Sequence, residues 1–365
     1  MTGSDLRWMR LAIALGARGL GRVWPNPAVG CVLVRDGRVV GRGWTAEGGR
    51  PHAETRALAQ AGAAARGATA YVSLEPCAHH GQTPPCAGAL AAAGVARVVT
   101  ALEDPDPRVS GRGHAMLRAA GIAVQTGVLE AEARAMQAGF LSRVTSGRPM
   151  VTLKLAASLD GRIATASGES RWITGPEARR LVHAMRARHD AVLVGAGTAR
   201  ADDPALTVRG LGVSHQPVRV VASRRLDLPA EGALARTARE VPVWLLHGPE
   251  AESARRAAWE GLGARLVEVP PGADRQLDPA AMLAALGQAG LTRVFCEGGG
   301  ALAAALLAAG LVDRLALFTG GVALGAEGRP AIGALGVDRL AAAPRFRLTD
   351  TRAVGPDTLQ LWEAV

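Results

Sequence analysis

One imidazole and two thiols have to meet in this chain. Pro51-His52-Ala53-Glu54 opens a helical stretch, and Glu75-Pro76-Cys77 and Cys86 bracket the loop after the following strand. A histidine with two cysteines suits tetrahedral zinc, and three protein ligands leave a fourth position to water, as in a catalytic site. Such a metal lowers the pKa of that water toward roughly 7. Glu54, two residues beyond His52, is then placed to carry a proton from the attacking water to a leaving group. A structural zinc site, or a pair of ordinary buried thiols, would also account for the cysteines, but either leaves Glu54 without a purpose.

The order His-x-Glu followed by Pro-Cys is the pattern of zinc base deaminases, with one departure. Cys86 lies nine positions after Cys77, where the nucleoside-deaminase pattern puts the second cysteine three after. The longer loop contains His79 and His80, which compete as ligands and are read either as loop residues near the substrate or as structural. Asn26 is the sole asparagine; its amide suits the edge of a heterocycle, and a turn residue is the alternative.

Hydrophobic periodicity predicts a helix from a Ser4 cap through Leu6, Met9 and Ile13, then a hairpin of 29–34 and 39–44 around Asp36-Gly37. Helices at 53–64, 87–93, 113–120 and 130–143 alternate with strands at 70–74, 97–102 and 123–127, a layered α/β pattern. Ser146-Gly147-Arg148-Pro149 is turn chemistry and divides the chain into 1–147 and 148–365. Beyond it, strands are expected at 150–156, 191–195, 218–222, 241–246 and 293–297, alternating with helices, and a hairpin closes the chain. The 365 residues match two domains of roughly 150 to 200 residues each.

The net charge of +10 invites a nucleic-acid reading, but the arginines are scattered and aromatics for base stacking are 3% of residues. No nucleic-acid partner is expected. No secretory signal or membrane-spanning run is read, and four cysteines in so long a chain argue for a reducing compartment, the cytoplasm. Lys154 is the sole lysine among 42 basic residues. An ammonium on a flexible stem is not interchangeable with guanidinium, so its survival points to a chemical requirement; an exposed strand lysine is the plain alternative.

In the second half, Glu297-Gly298-Gly299-Gly300 between a strand and an alanine-rich helix is a phosphate-loop candidate, a tight turn being the other reading. Ser223-Arg224-Arg225 at the end of a strand suits a 2′-phosphate, or is a solvated basic turn.

The motifs WPNPAVG, PHAE, LEPCAHHGQTPPC, LKLAASLDGRIA, SGESRWIT, ADDPALTVR and EGGGALAAALL together resemble, over the whole chain, the bifunctional riboflavin-biosynthesis deaminase-reductase family. The resemblance implies an N-terminal cytidine-deaminase-like domain with one zinc on His52, Cys77 and Cys86 and Glu54 as proton shuttle. It implies a C-terminal dihydrofolate-reductase-like domain using NADPH. The substrate implied is a phosphoribosylamino-pyrimidine, deaminated and then reduced to 5-amino-6-(5-phosphoribitylamino)uracil; a homo-oligomer is expected. Matched by motif position, Ala156, Trp172, Thr198, Asp202, Ser223, Gly299, Gly300, Ala301, Leu302, Ala303, Ala304 and Ala305 become NADPH contacts. Asn26, Ser170, Arg186, Leu206, Arg209 and Glu297 become substrate contacts, and Lys154 a residue that positions or protonates the ribose oxygen. Trp172 is alternatively core, Leu206 shape alone, and Asp202 a cap in its turn. Competing readings are a nucleic-acid base deaminase with an accessory domain and a zinc-stabilised nucleic-acid binder.

Overall fold

A computed structural model describes residues 3–79 and 84–365, and the chain separates into two compact units, Met1–Gly147 and Arg148–Val365. His80 lies outside the described residues. In the first unit α1 (Gly3–Gly16) precedes a hairpin of β1 (Gly30–Arg35) and β2 (Arg38–Trp44). Ser4 falls inside α1 rather than capping it, because the helix already begins at Gly3. Asp36 and Gly37 both have positive φ, 50° and 72°, as a two-residue turn matched to strand twist requires. Helices α2 (Ala53–Ala61), α3 (Cys86–Ala92), α4 (Arg112–Ala119) and α5 (Glu130–Ser146) alternate with β3 (Thr69–Val72), β4 (Arg97–Thr100) and β5 (Ala123–Gln125).

The sheet order is β2-β1-β3-β4-β5, antiparallel across β1 and parallel from β3 onward. All residues of β1 except Arg35 are buried, and Val32, Leu33, Val72, Val98 and Val99 form the centre of the core with Leu90 and Leu117 from the helices. Two glycines set the height of α2. A Cβ at Gly43 would stand 2.3 Å from the carbonyl oxygen of Ala53, and one at Gly41 would stand 2.2 Å from that of Ala57. The helix that begins beside His52 can therefore lie flat on β2.

The second unit has a nine-stranded sheet. Its strands are β6 (Met150–Ala157), β8 (Ala191–Gly195), β9 (Val218–Ala222), β10 (Val243–His247), β11 (Arg265–Glu268), β12 (Arg293–Cys296), β13 (Arg314–Thr319), β15 (Phe346–Val354) and β16 (Asp357–Ala364). The order is β11-β10-β9-β8-β12-β6-β13-β16-β15, parallel up to β13 and antiparallel in the closing hairpin. A small side ladder pairs β7 (Arg162–Ala164) with β14 (Arg329–Pro330). Six helices connect the strands: α6 (Pro176–Arg186), α7 (Ala196–Asp202), α8 (Ala233–Arg236), α9 (Ser253–Gly261), α10 (Pro279–Gln288) and α11 (Gly300–Ala308).

Strands β11 and β13 escape the hydrophobic pattern, although β13 lies directly beside β6. The apolar stretch of β13, Leu315–Phe318, is only four residues long, too short for periodicity alone to tell a buried strand from a helix segment. The fold is mixed α/β in both units. Among the described residues no helix is long and apolar enough to cross a membrane.

Candidate functional site

In the first unit the sheet and two helix ends bring the three proposed ligands together. His52 is the residue before α2, Cys86 is the first residue of α3, and Cys77 lies on the loop after β3. His52 Nδ1 stands 3.3 Å from Cys86 Sγ and 3.7 Å from Cys77 Sγ, and all three donor atoms lie within 4.8 Å of one another. Tetrahedral zinc with ordinary Zn–N and Zn–S bonds sets N···S edges of about 3.6 Å, so the donor set fits that ion in chemistry and spacing. The backbone N–H of Cys86 donates to Cys77 Sγ at 3.3 Å. A hydrogen bond from Cys86, with help from His52 and against burial, lowers the Cys77 thiol to about 4, which favours the thiolate that a metal requires.

Glu54 sits in the first turn of α2 and is buried. Burial and the neighbouring Cys77 push its carboxyl up to about 7, with His52 pulling the other way. His79 is not in the three-residue cluster; its Nδ1 is buried and finds no partner among the described residues. Asn26 is half-buried and its amide nitrogen donates to the carbonyl of Gly49 at 3.0 Å, bracing the turn that leads into Pro51-His52.

One residue beside the ligands has a role that sequence reasoning missed. Glu75 is buried, and its carboxylate accepts from the backbone N–H groups of Asp104 (3.2 Å), Gly111 (3.0 Å) and His114 (3.1 Å). It ties the start of α4 beneath the loop that carries Cys77. Gly113 completes the contact, since a Cβ there would meet the carbonyl oxygen of Pro76 at 2.0 Å. The partners are 29 to 39 residues away in sequence, so no local pattern could reveal them. Glu75→Ala is expected to lower local stability by about 3 kcal/mol, because buried donors left unsatisfied cost about 1–3 kcal/mol each. Amide hydrogen exchange at Asp104, Gly111 and His114 should accelerate; unchanged protection there would show that Glu75 is dispensable.

In the second unit, a pocket of about 630 Å³ opens at the carboxyl ends of β6, β8 and β12, where parallel sheets bind ligands. It gathers Lys154 and Ala156 from β6, Thr198 and Asp202 from α7, Arg186 from α6, and Glu297 just past β12. Ser170, Trp172, Leu206 and Arg209 complete the set from loops. Trp172 is 68% exposed, which rules out the core alternative, and the Arg179 guanidinium lies 4.3 Å from its ring centroid. Leu206 is buried in the left-handed region at φ 54°. Asp202 ends α7 and its carbonyl accepts from Arg171, while the capping bond in that turn is made by Asp203, which accepts from Ala233 N–H at 2.7 Å.

Arg186 and Glu297 form a two-point ion pair, Nε–Oε1 2.5 Å and Nη2–Oε2 3.0 Å, and Arg186 also donates to the carbonyl of Thr207 at 2.8 Å. Burial pushes the Glu297 carboxyl up, but Arg186 and Lys154 outweigh it and hold the group below the usual range. Lys154 is half-buried, not an exposed strand lysine. Burial holds its ammonium below the ordinary lysine value, with Glu297 pulling it up and Arg186 adding to the lowering.

The glycine loop is shaped by packing as well as by any ligand. Gly299 N–H donates to Thr198 Oγ1 at 3.0 Å, and a Cβ at Gly300 would stand 2.8 Å from the carbonyl oxygen of Pro330. Ala303 and Ala304 turn into the core, and Ala303 N–H is taken by the Gly299 carbonyl. The first-turn amides of α11, from Gly300, Ala301 and Leu302, have no partner within the helix, as at every helix start. Ala305 is half-buried one turn further on. Ser223 is outside the pocket lining: it is buried at the end of β9 and donates to Asp227 at 3.2 Å. Arg224 pairs with Glu250 at 3.2 Å and donates to the Arg275 carbonyl, so the structure does not aim it at the pocket.

Two family models divide the chain. Residues 2–102 match the cytidine and deoxycytidylate deaminase zinc-binding region, and residues 149–360 match the RibD C-terminal domain. The riboflavin biosynthesis protein RibD of Escherichia coli (strain K12) is 43% identical over 374 residues, covering 97% of each chain. That of Aquifex aeolicus is 38% identical over 97% of this chain and 96% of its own. Among solved structures, Acinetobacter baumannii RibD (form 1) is 40% identical with a TM-score of 0.89, covering 99% of both chains. A Thermotoga maritima diaminohydroxyphosphoribosylaminopyrimidine deaminase/5-amino-6-(5-phosphoribosylamino)uracil reductase is 34% identical with a TM-score of 0.86, also over 99% of both. With relatives this similar along its whole length and the two domain types in the same order, the chain belongs to the RibD family, the bifunctional deaminase-reductases of riboflavin biosynthesis.

Proposed function

We propose that the unit of residues 1–147 hydrolyses the 2-amino group of 2,5-diamino-6-(5-phosphoribosylamino)pyrimidin-4-one. The unit of residues 148–365 then reduces the ribosyl group of the product with NADPH, giving 5-amino-6-(5-phosphoribitylamino)uracil. The observation that carries this reading is the convergence of His52, Cys77 and Cys86 with the buried Glu54 beside them. Zinc held by those three residues would supply the Lewis acidity that brings water to a reactive pKa near neutrality. Glu54 takes the proton from the attacking water and delivers it to the departing amine, so that ammonia leaves and a carbonyl remains. Asn26, fixed through Gly49, presents the rest of its amide to the heterocycle.

For the second step NADPH, held in the pocket that Lys154, Ala156 and Thr198 line, would supply the hydride needed at C1′ of the ribosyl group. Lys154 donates the proton that the opening ring oxygen requires, and Glu297, locked by Arg186, orients that ammonium. Arg209 is exposed on the pocket rim and suits the substrate phosphate, whereas Arg186 is committed to Glu297 and Thr207. The carboxyl ends of β12 and β8 carry Gly299 and Thr198 in neighbouring positions, where a dinucleotide can lie with its pyrophosphate at the start of α11. A cytoplasmic homo-oligomer acting on this small-molecule substrate completes the reading.

Zinc content tests the metal assignment separately from turnover. Cys77→Ser is expected to lose most of the one equivalent of zinc measured by elemental analysis while NADPH binding stays unchanged. Full zinc retention would remove Cys77 from the ligand set.

A further inference from the structure

A second cavity, of about 490 Å³, opens in the same unit at the amino ends of β12 and β13 and shares no lining residue with the pocket at the opposite ends of the strands. Four arginines line it: Arg188, Arg293, Arg314 and Arg352. Arg293 is the first residue of β12 and Arg314 the first of β13. The lining has one carboxylate, Glu363, which is already shared between Arg314 at 3.2 Å and Arg347 at 3.1 Å. Arg352 has Asp350 at 3.7 Å.

One more carboxylate and an imidazole lie close to the cluster. Asp190 is buried and attracts the Arg293 guanidinium, while its Oδ2 accepts from Thr292 N–H, Thr292 Oγ1 and Arg293 N–H. His189 adds neither sign, because burial, reinforced by Arg293, pushes it down to about 3 and leaves it neutral. Its ring is fixed between the Met185 carbonyl and Thr152 Oγ1. Four lining arginines, set against Glu363, which also serves Arg347, and the flanking Asp350 and Asp190, leave an excess of positive charge around one concave space.

The lining also carries apolar side chains, among them Met185, Leu315 and Trp362. Trp362 also brings a donor: its indole Nε1 is buried and has no partner among the described residues. Apolar lining side chains, an excess of cations and an unused donor are the ingredients of a small-molecule site. We infer that this cavity binds an amphipathic anion, a flat aromatic or heteroaromatic body carrying a phosphate, with the ring against Trp362 and Met185 and the phosphate among the arginines. Guanidinium forks suit phosphate oxygens in both charge and geometry.

The probe is 1-naphthyl phosphate, titrated calorimetrically into the full-length zinc-loaded protein saturated with NADPH. The expected result is one saturable site, with inorganic phosphate and 1-naphthol each binding at least tenfold more weakly. Arg188→Ala combined with Arg352→Ala, both at exposed positions, should weaken the probe at least tenfold with NADPH affinity unchanged. Trp362→Phe should weaken it severalfold. Arg209→Ala, in the other pocket, should have no effect on the probe. No saturable site, or a loss that follows Arg209→Ala instead of the double variant, overturns the proposal; inorganic phosphate binding as tightly as the probe overturns the amphipathic class.

Discussion

Glu54→Gln should reduce deamination by about 100-fold to 10,000-fold, the range over which a positioned proton carrier contributes. The amide keeps the shape of the side chain in a buried place where a larger change would disturb the packing of α2 on the sheet. It cannot take a proton from water and pass it on. Zinc content should stay at the wild-type level, since Glu54 is not one of the three converging ligand atoms. Reductase turnover on the deaminated intermediate should also be unchanged. A variant that loses zinc along with activity would mean that Glu54 holds the site together rather than moving protons, and near-normal deamination would remove it from the chemistry.

The second large effect is expected at Lys154. Lys154→Met should lower reductase kcat by about 100-fold to 10,000-fold if the ammonium supplies the proton to the ring oxygen. Lys154→Arg separates charge from chemistry: the guanidinium retains the positive charge but does not give up its proton, so kcat should remain low while KM changes little. The pH profile gives an independent reading. A lysine acting as an acid must be protonated, so activity should fall as pH rises through its pKa. Burial lowers that pKa, which moves the alkaline limb below that of an ordinary lysine. Glu297→Gln removes the group that pulls the pKa up, so the limb should move lower still. Full kcat in Lys154→Arg, or an alkaline limb that ignores Glu297, would contradict the role.

Much of the first site was legible because its signals are local or chemically restrictive. His52 and Glu54 stand two residues apart across the start of α2, and the thiols at Cys77 and Cys86 offer few alternatives in a chain with four cysteines. The hairpin was legible for the same reason, two adjacent residues with positive φ. Glu75 was not, because its carboxylate is defined by three backbone donors contributed from a distant segment. In the second unit, the survival of one lysine in an arginine-rich chain singled out Lys154, which the structure places in the same pocket as the Arg186–Glu297 pair. The same sequence reasoning was less successful at Arg224, since a basic pair in a turn carries no information about the partner, Glu250, that occupies it. The extended glycine run had a similar limit: its periodicity could not tell the exposed start of α11 from Ala303 and Ala304, which face the core.

The central claim is that one chain performs a hydrolysis and then a reduction on the same pyrimidine. Mass spectrometry of 2,5-diamino-6-(5-phosphoribosylamino)pyrimidin-4-one incubated with the zinc-loaded protein tests it directly. Without NADPH the account predicts exchange of one amino group for oxygen and nothing more; with NADPH it predicts that change followed by gain of two hydrogens. Deamination that is never followed by reduction would contradict the assignment of the second unit, and an unchanged substrate under both conditions would contradict the account as a whole.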